Sequence, residues 1–246
     1  MVNAFVSSRF KLVLAGIKTD FQIVAFKGSE ALDQPYFIQV QLVSEDPFLD
    51  LEALLHQPAY LHFGEAGQGL HGQIFAIGRD DPGMRLALYH LTLAPRLASL
   101  AYRCDQRVFQ QRSVPQIIVA VLEQHGIFAD AYAFELGPVV YPPRAFCVQY
   151  RESDLHFIQR LCEEEGIHYH FRHSAENHLL VFGDDQTVFR RLPVQRYCSS
   201  ADPSLGAPVV QRFDRRLVTR SRRTVRRDYD FEHPSFRLHD QAGAGP

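Results

Sequence analysis

Two groups of side chains in this sequence have the types and spacing to do chemistry. The first is the histidines His168, His170, His173 and His178. In an extended stretch His168 and His170 stand on one strand face, because side chains alternate, and two imidazoles there can converge on a metal. Neither a cysteine pair nor a helical H-x-x-x-H completes a tetrahedral zinc set. The plainer reading is polar residues on the wet face of a hairpin, so no metal or other cofactor is expected, His168 and His170 being the weak candidates. The second group is Glu152, Asp154, Glu163, Glu164 and Glu165, from which a glycan or peptidoglycan hydrolase with paired carboxylates could be built. Against that, Asp154 suits the start of a helix, where negative charge is favoured. The three glutamates close the helix, where it is disfavoured, so a basic partner is expected for them. No G-x-S-x-G, H-E-x-x-H or phosphate-binding glycine loop occurs.

A third group is cationic. Arg212 to Arg227 holds eight arginines in a chain with 26 Lys plus Arg. A nucleic-acid surface would interleave aromatics or ride on a helix. Here Phe213, Leu217 and Val225 are spaced as in a strand, and Asp214 and Asp228 break the charge. The run reads as a solvated sheet face or as a surface between subunits, where arginine pairs carboxylates with both arms. Arg215, Arg216, Arg222 and Arg223 are the candidates for the second reading.

The element that must position most of these groups runs from Phe146 to Phe171. Phe146, Val148 and Tyr150 alternate with Cys147, Gln149 and Arg151, the period of a half-buried strand. Ser153 can cap a helix, Asp154 adds charge at its start, and Leu155, Ile158, Leu161 and Cys162 form one apolar stripe. Gly166 suits the left-handed end of that helix. Ile167, Tyr169 and Phe171 then alternate as a second strand, which a polar turn at Ser174 to Asn177 folds back onto His178 to Phe182.

The chain has 246 residues, 46% apolar and 22% charged, with a formal net charge of −2. That is ordinary globular material, and the charge argues against a protein that works by covering nucleic acid. The four cysteines make no C-x-x-C pair. Cys147 and Cys162 read as buried free thiols in a reducing compartment. No secretory leader and no sustained apolar run for a membrane span is expected.

Residues 1–100 read as short alternating strands with one helical turn at Leu51 to Leu55, capped by Asp50. Ile38, Val40 and Leu42 against Gln39 and Gln41 make the clearest strand with one wet face. Turns are expected at Gly64 to Gly69 and Asp80 to Gly83. This is a small barrel or a sandwich. Residues 101–195 are mixed α/β. Ser113 to Ile127 shares its grammar with Ser153 to Ile167, as two helices with one packing job. Leu192 to Ala207 reads as a linker, and Val209 to Phe236 as strand-like. The fold class expected is α+β, mostly β: a small barrel or sandwich, a mixed α/β region with two similar helices, then a strand-like stretch.

The stretch Gln149 to Phe171, Q-Y-R-E-S-D-L-x-F-I-x-R-L-x-E-E-E-G-I-x-Y-x-F, resembles the signature of VgrG proteins, the spike-hub subunits of bacterial type VI secretion systems, related in fold to phage tail baseplate hubs. Its residues are Gln149, Tyr150, Arg151, Glu152, Ser153, Asp154, Phe157, Arg160, Leu161, Glu165 and Gly166. The pieces LVSEDPFLDLEALLHQPA, LTLAPRLASL, CDQRVFQQRSVPQII and DYDFEHP resemble the family too. The resemblance implies a first hub barrel at 1–100, an α/β insertion at 101–195 and, at 196–246, a linker and part of a second barrel, so the chain is expected to be a hub fragment. It implies no catalysis, a homotrimer in the full protein, and docking on the hexameric tube protein Hcp beside baseplate subunits. Neither nucleic acid nor a membrane anchor is implied. The protein would be cytoplasmic until the apparatus delivers it.

Overall fold

The computed structural model describes residues 10–14, 21–63, 68–80, 86–189, 194, 197–198, 210, 212–219, 223–229 and 231–243. The turn residues 64–67 and 81–83, most of the expected linker, and Arg222 lie outside them. The chain divides into two compact units, Met1–Pro193 with Leu205–Pro208, and Val194–Ser204 with Val209–Pro246.

The first unit opens with β1 (Phe10–Leu14), β2 (Gln22–Ser29) and β3 (Phe37–Ser44). A short α1 (Leu51–Leu54) follows, then β4 (Pro58–Phe63), β5 (Gly69–Arg79) and β6 (Ala87–Ala94). Asp50 caps α1 by accepting from the Ala53 N–H at 3.0 Å. The six strands form one antiparallel sheet in the order β1-β4-β5-β6-β3-β2. Ile38, Val40 and Leu42 go inward while Gln39 and Gln41 stay wet, as the alternation requires. The sheet curls into a half-barrel. Phe10 meets Phe26 edge to face with ring centroids 5.2 Å apart, and Phe26 stacks on Phe63 at 5.7 Å. Among the described residues no ladder joins the edge strands β1 and β2, so aromatic packing brings them together.

The α/β part follows a 3-10 turn at Arg96–Ala101. It comprises β7 (Cys104–Arg112), α2 (Val114–Gln124), β8 (Tyr132–Glu135), β9 (Arg144–Ser153), α3 (Asp154–Glu165), β10 (His168–His173) and β11 (His178–Gly183). β7 and β9 form an antiparallel ribbon, and the other three strands form a sheet in the order β10-β11-β8, with β8 parallel to β11. Ser113 begins α2, its N–H donating to Gln116 Oε1 at 2.9 Å, and Ser153 Oγ accepts from the His156 N–H at 3.2 Å at the start of α3. The two helices pack together over one core shared with the curled sheet. Asp33, at φ +61°, ties the β2–β3 loop to β10: its N–H donates to Tyr169 O at 3.0 Å and its Oδ1 accepts from the Tyr169 N–H at 2.8 Å.

One expectation is corrected here, and the buried face of β9, which the alternation leaves open, is decided. The buried stripe of α3 holds Phe157, stacked on Phe109 at 5.8 Å, with Ile158, Leu161 and Cys162, whereas Leu155 is only half-buried. In β9 the alternation holds but the apolar face is the outer one: Cys147 and Gln149 are buried, and Phe146, Val148 and Tyr150 are 68%, 40% and 61% exposed. The inward face is chosen by Gln149, whose amide is consumed by the buried network described below.

Gly166 ends α3 at φ +72° with open space where a Cβ would stand. Replacing it with alanine is expected to cost about 1 kcal/mol, all of it conformational. A lower urea midpoint at unchanged slope would show this; equal stability would mean that the helix end re-forms differently.

In the second unit β12 (Arg223–Tyr229) and β13 (Arg237–Gly243) make a hairpin. Residues 212–219 have no strand structure, contrary to the alternation of Phe213 and Leu217. Among the described residues nothing supplies them with a neighbouring strand, and an extended segment needs a ladder to become one.

Candidate functional site

The signature is a buried ionic clamp rather than a cleft. Asp154 is fully buried at the start of α3. Its Oδ2 accepts from Arg103 Nε at 2.6 Å and lies 2.6 Å from His125 Nε2, while Oδ1 accepts from Arg107 Nη2 and Gln149 Nε2, each at 2.8 Å. Gln149 Oε1 in turn accepts from Arg107 Nε at 2.8 Å, and Gln124 Oε1 accepts from both arginines. Five pieces of chain thus meet at one carboxylate: the end of the 3-10 turn, β7, the C-terminal end of α2, β9 and α3. Burial alone would raise the Asp154 carboxyl, but the hydrogen bonds of His125 and Gln149 and the charge of Arg107 outweigh it and hold the group below the ordinary carboxylate range.

A second network lies along α3. Arg160 Nη2 donates to Glu152 Oε1 at 2.6 Å and to Val148 O at 3.1 Å, and its Nη1 donates to Glu164 Oε1 at 2.8 Å. Arg144 donates to Glu164 at 2.7 Å and Glu165 at 2.5 Å. Of the three closing glutamates, Glu164 and Glu165 thus have the basic partners expected, Arg144 and Arg160, whereas Glu163 has none among the described residues. Glu152, Asp154, Glu164 and Glu165 are all engaged by cations, which leaves none of them free as an acid or nucleophile. Arg151 is held at φ +50°, in the bulge where Asp105 pairs with Glu152 and Gln106 with Tyr150, and its guanidinium lies 5.4 Å from the Tyr150 ring.

The histidines separate. His168 and His170 share a face, with centroids 6.3 Å apart, but Phe189 packs on them at 4.8 and 5.3 Å. His168 Nε2 and His170 Nδ1 are buried with no hydrogen-bond partner among the described residues. Nor, among those residues, are three His, Cys, Asp or Glu side chains grouped to hold a metal. His173 and His178 turn instead to His71 on β5, which sequence reasoning missed. His71 Nδ1 and His178 Nδ1 are 3.0 Å apart, and His178 Nε2 accepts from the Arg96 N–H at 3.3 Å. His173 Nδ1 accepts from the His71 N–H at 3.1 Å, and its Nε2 lies 3.2 Å from Glu30 Oε1. Tyr36 seals the cluster by donating to His71 O at 2.5 Å. Burial, then the neighbouring histidines and Arg96, lowers His71 to about 4 and His178 to about 3.

Of the candidate interface arginines, Arg215 and Arg216 are exposed, with no carboxylate partner among the described residues. Arg223 donates to Gln241 across the β12–β13 hairpin. No helix among the described residues is long and apolar enough to cross a membrane.

Residues 29–246 match the family described as phage tail baseplate hub (GPD). The chain is 54% identical to the type VI secretion system spike protein VgrG4b of Pseudomonas aeruginosa, over all of this chain and 30% of that protein. It is also 54% identical to VgrG5 of the same organism, over 97% of this chain and 30% of the relative. It thus spans about 30% of the length of these relatives. Among solved structures it resembles the E. coli c3393 protein, described as a type VI secretion component similar to the bacteriophage T4 tail proteins gp27 and gp5. The TM-score is 0.69 at 30% identity, covering 74% of this chain and 51% of that one. A tail protein from Neisseria meningitidis shares the fold, with a TM-score of 0.51 at 14% identity over 91% of this chain and 61% of that one.

Proposed function

This chain belongs to the phage tail baseplate hub family, and on that premise we propose that it is the hub portion of a type VI secretion spike. The observation that carries this reading is the 54% identity to spike proteins along the whole chain. On it, residues 1–100 form the first hub barrel, 101–195 the α/β insertion, and 196–246 lead into a second barrel. In the full protein three subunits associate, each giving two barrels, and the resulting pseudo-sixfold ring docks on the hexameric tube protein Hcp. The physical logic is symmetry: a trimer meets a hexamer when each subunit presents two similar surfaces. The trimer sits among baseplate subunits in the cytoplasm and leaves the cell when the sheath contracts. The protein acts mechanically, and its ionic networks, with the carboxylates of the signature engaged by cations, suit a part that must transmit force without deforming.

Light scattering over a wide concentration range, with and without the hexameric tube protein, tests this. The expected result is a complex of chain and hexamer, with a threefold mass for the chain where it carries its own assembly surface. Absence of any complex at the highest concentration would overturn docking by this region. We place the subunit contact in the arginine run: charge reversal at Arg222 and Arg223 is then expected to weaken self-association at least tenfold, and an unchanged mass profile would remove the run from the interface.

A further inference from the structure

A cavity of about 630 Å³ lies beside α2, lined by Arg112, Pro115, Gln116, Val119, Phe134 and Leu136 together with Gln111. Its walls come from the end of β7, the first turns of α2, and β8 with the residue after it. Both strands have an open edge. β7 pairs only with β9, β8 is the outer strand of its sheet, and among the described residues neither makes a strand ladder on its other side. Unpaired strand edges present N–H and C=O groups that a further strand can satisfy. The apolar part of the wall is Pro115, Val119, Phe134 and Leu136. Phe134 is held rigid by stacking on Phe182 at 4.7 Å.

The polar end is Arg112, exposed at the last position of β7. The other arginines of the α/β part that meet carboxylates are Arg103, Arg107, Arg144, Arg160 and Arg172. Arg112 has no carboxylate partner among the described residues. The residue before it, Gln111, is held at φ +51°, a conformation that costs energy in any residue but glycine. An open edge, an apolar cavity, a cation without a partner and a strained residue therefore coincide.

We propose that this slot binds an extended segment of a partner protein, which lies along the strand edge, puts an apolar side chain into the cavity and sets a carboxylate on Arg112. Recognition of this kind draws affinity from main-chain hydrogen bonds and specificity from the pocket. A small amphiphilic anion could meet the cavity and the arginine but would leave the strand edge unused, which is why the occupant is a peptide. The slot is a property of this fold and does not rest on the spike reading.

The test is fluorescence anisotropy with the whole chain and a labelled probe, acetyl-Val-Thr-Leu-Thr-Leu-Asp. Saturable binding is expected, weakened at least tenfold by Arg112→Glu, by lysine in place of the probe's aspartate, and by N-methylation of alternate probe amides, which keeps the side chains but removes main-chain donors. Val119→Asp should also weaken it, with circular dichroism confirming that each variant is folded. Three results would overturn the proposal: no binding at millimolar probe, equal binding by Arg112→Glu, or competition by decanoate as strong as by unlabelled peptide. The solution mass of the chain is a separate readout, so failure here leaves the assembly experiment intact.

Discussion

Replacing Asp154 with alanine is expected to cost about 3–5 kcal/mol, the range for removing one partner of a buried ion pair and leaving the other charges uncompensated. The side chain is fully buried, and four donors from four other pieces of chain point at it. Its loss leaves two guanidinium groups and the His125 ring facing one another, and frees Gln149 inside an otherwise closed strand face. Asp154→Asn keeps the shape and part of the hydrogen bonding but not the charge, so a smaller loss of about 2 kcal/mol is expected. Urea unfolding at pH 7 reads both, as a drop in midpoint with the slope preserved. A loss under about 1 kcal/mol for the alanine variant would show that the clamp contributes little. The carboxyl sits below its unfolded value, so its contribution is present above the unfolded value near pH 4 and is lost as pH falls through the folded one. Acid unfolding of the parent should therefore show a late phase below about pH 4 that the alanine variant lacks.

Acidification should act earlier through His71 and His178. The Arg96 N–H occupies His178 Nε2, so His178 carries its proton on Nδ1 and donates to His71 Nδ1. A proton added to His71 Nδ1 meets the His178 N–H, and one added to His178 Nε2 meets the Arg96 N–H, so all of these hydrogen bonds are kept only when both rings are neutral. Both titrate far below 6.5 in the folded chain, at about 4 and about 3. Between the unfolded value near 6.5 and these lower ones the unfolded state binds more protons, so stability is full above about pH 7 and falls as pH drops. The slope approaches about 1.4 kcal/mol per pH unit for each histidine below the unfolded value, which amounts for the two to at most roughly 4 kcal/mol between pH 7 and 5. The cluster joins β5 of the curled sheet to the β10–β11 hairpin, so this junction is the place to loosen. Urea midpoints at pH 7, 6 and 5 should fall steadily in the parent and much less in His71→Asn/His178→Asn. A parent whose midpoint does not move over that range would exclude the neutral pair as a stabilising feature.

Local pattern carried a good part of this architecture. The limits of α3 follow from the Ser153 hydroxyl at one end and Gly166 at the other. The wet and dry faces of β3 follow from glutamines alternating with branched apolar residues. The demand of Glu164 and Glu165 for basic partners was legible from their place at the negative end of a helix dipole, although Arg144 was not. The family was legible because its signature is contiguous.

What the tertiary structure decided is which distant groups meet. His71 and His178 are 107 positions apart, and Arg107 and Asp154 are 47 apart. Nothing in the local spacing of either pair announces the contact, because sheet order and the packing of α2 on α3 bring them together. The same applies to β9. A strand's period of two tells that one face is buried but not which one. By hydrophobicity alone Phe146, Val148 and Tyr150 belonged inside. The structure turns them out, because the amide of Gln149 is needed against a carboxylate that only the assembled fold places there.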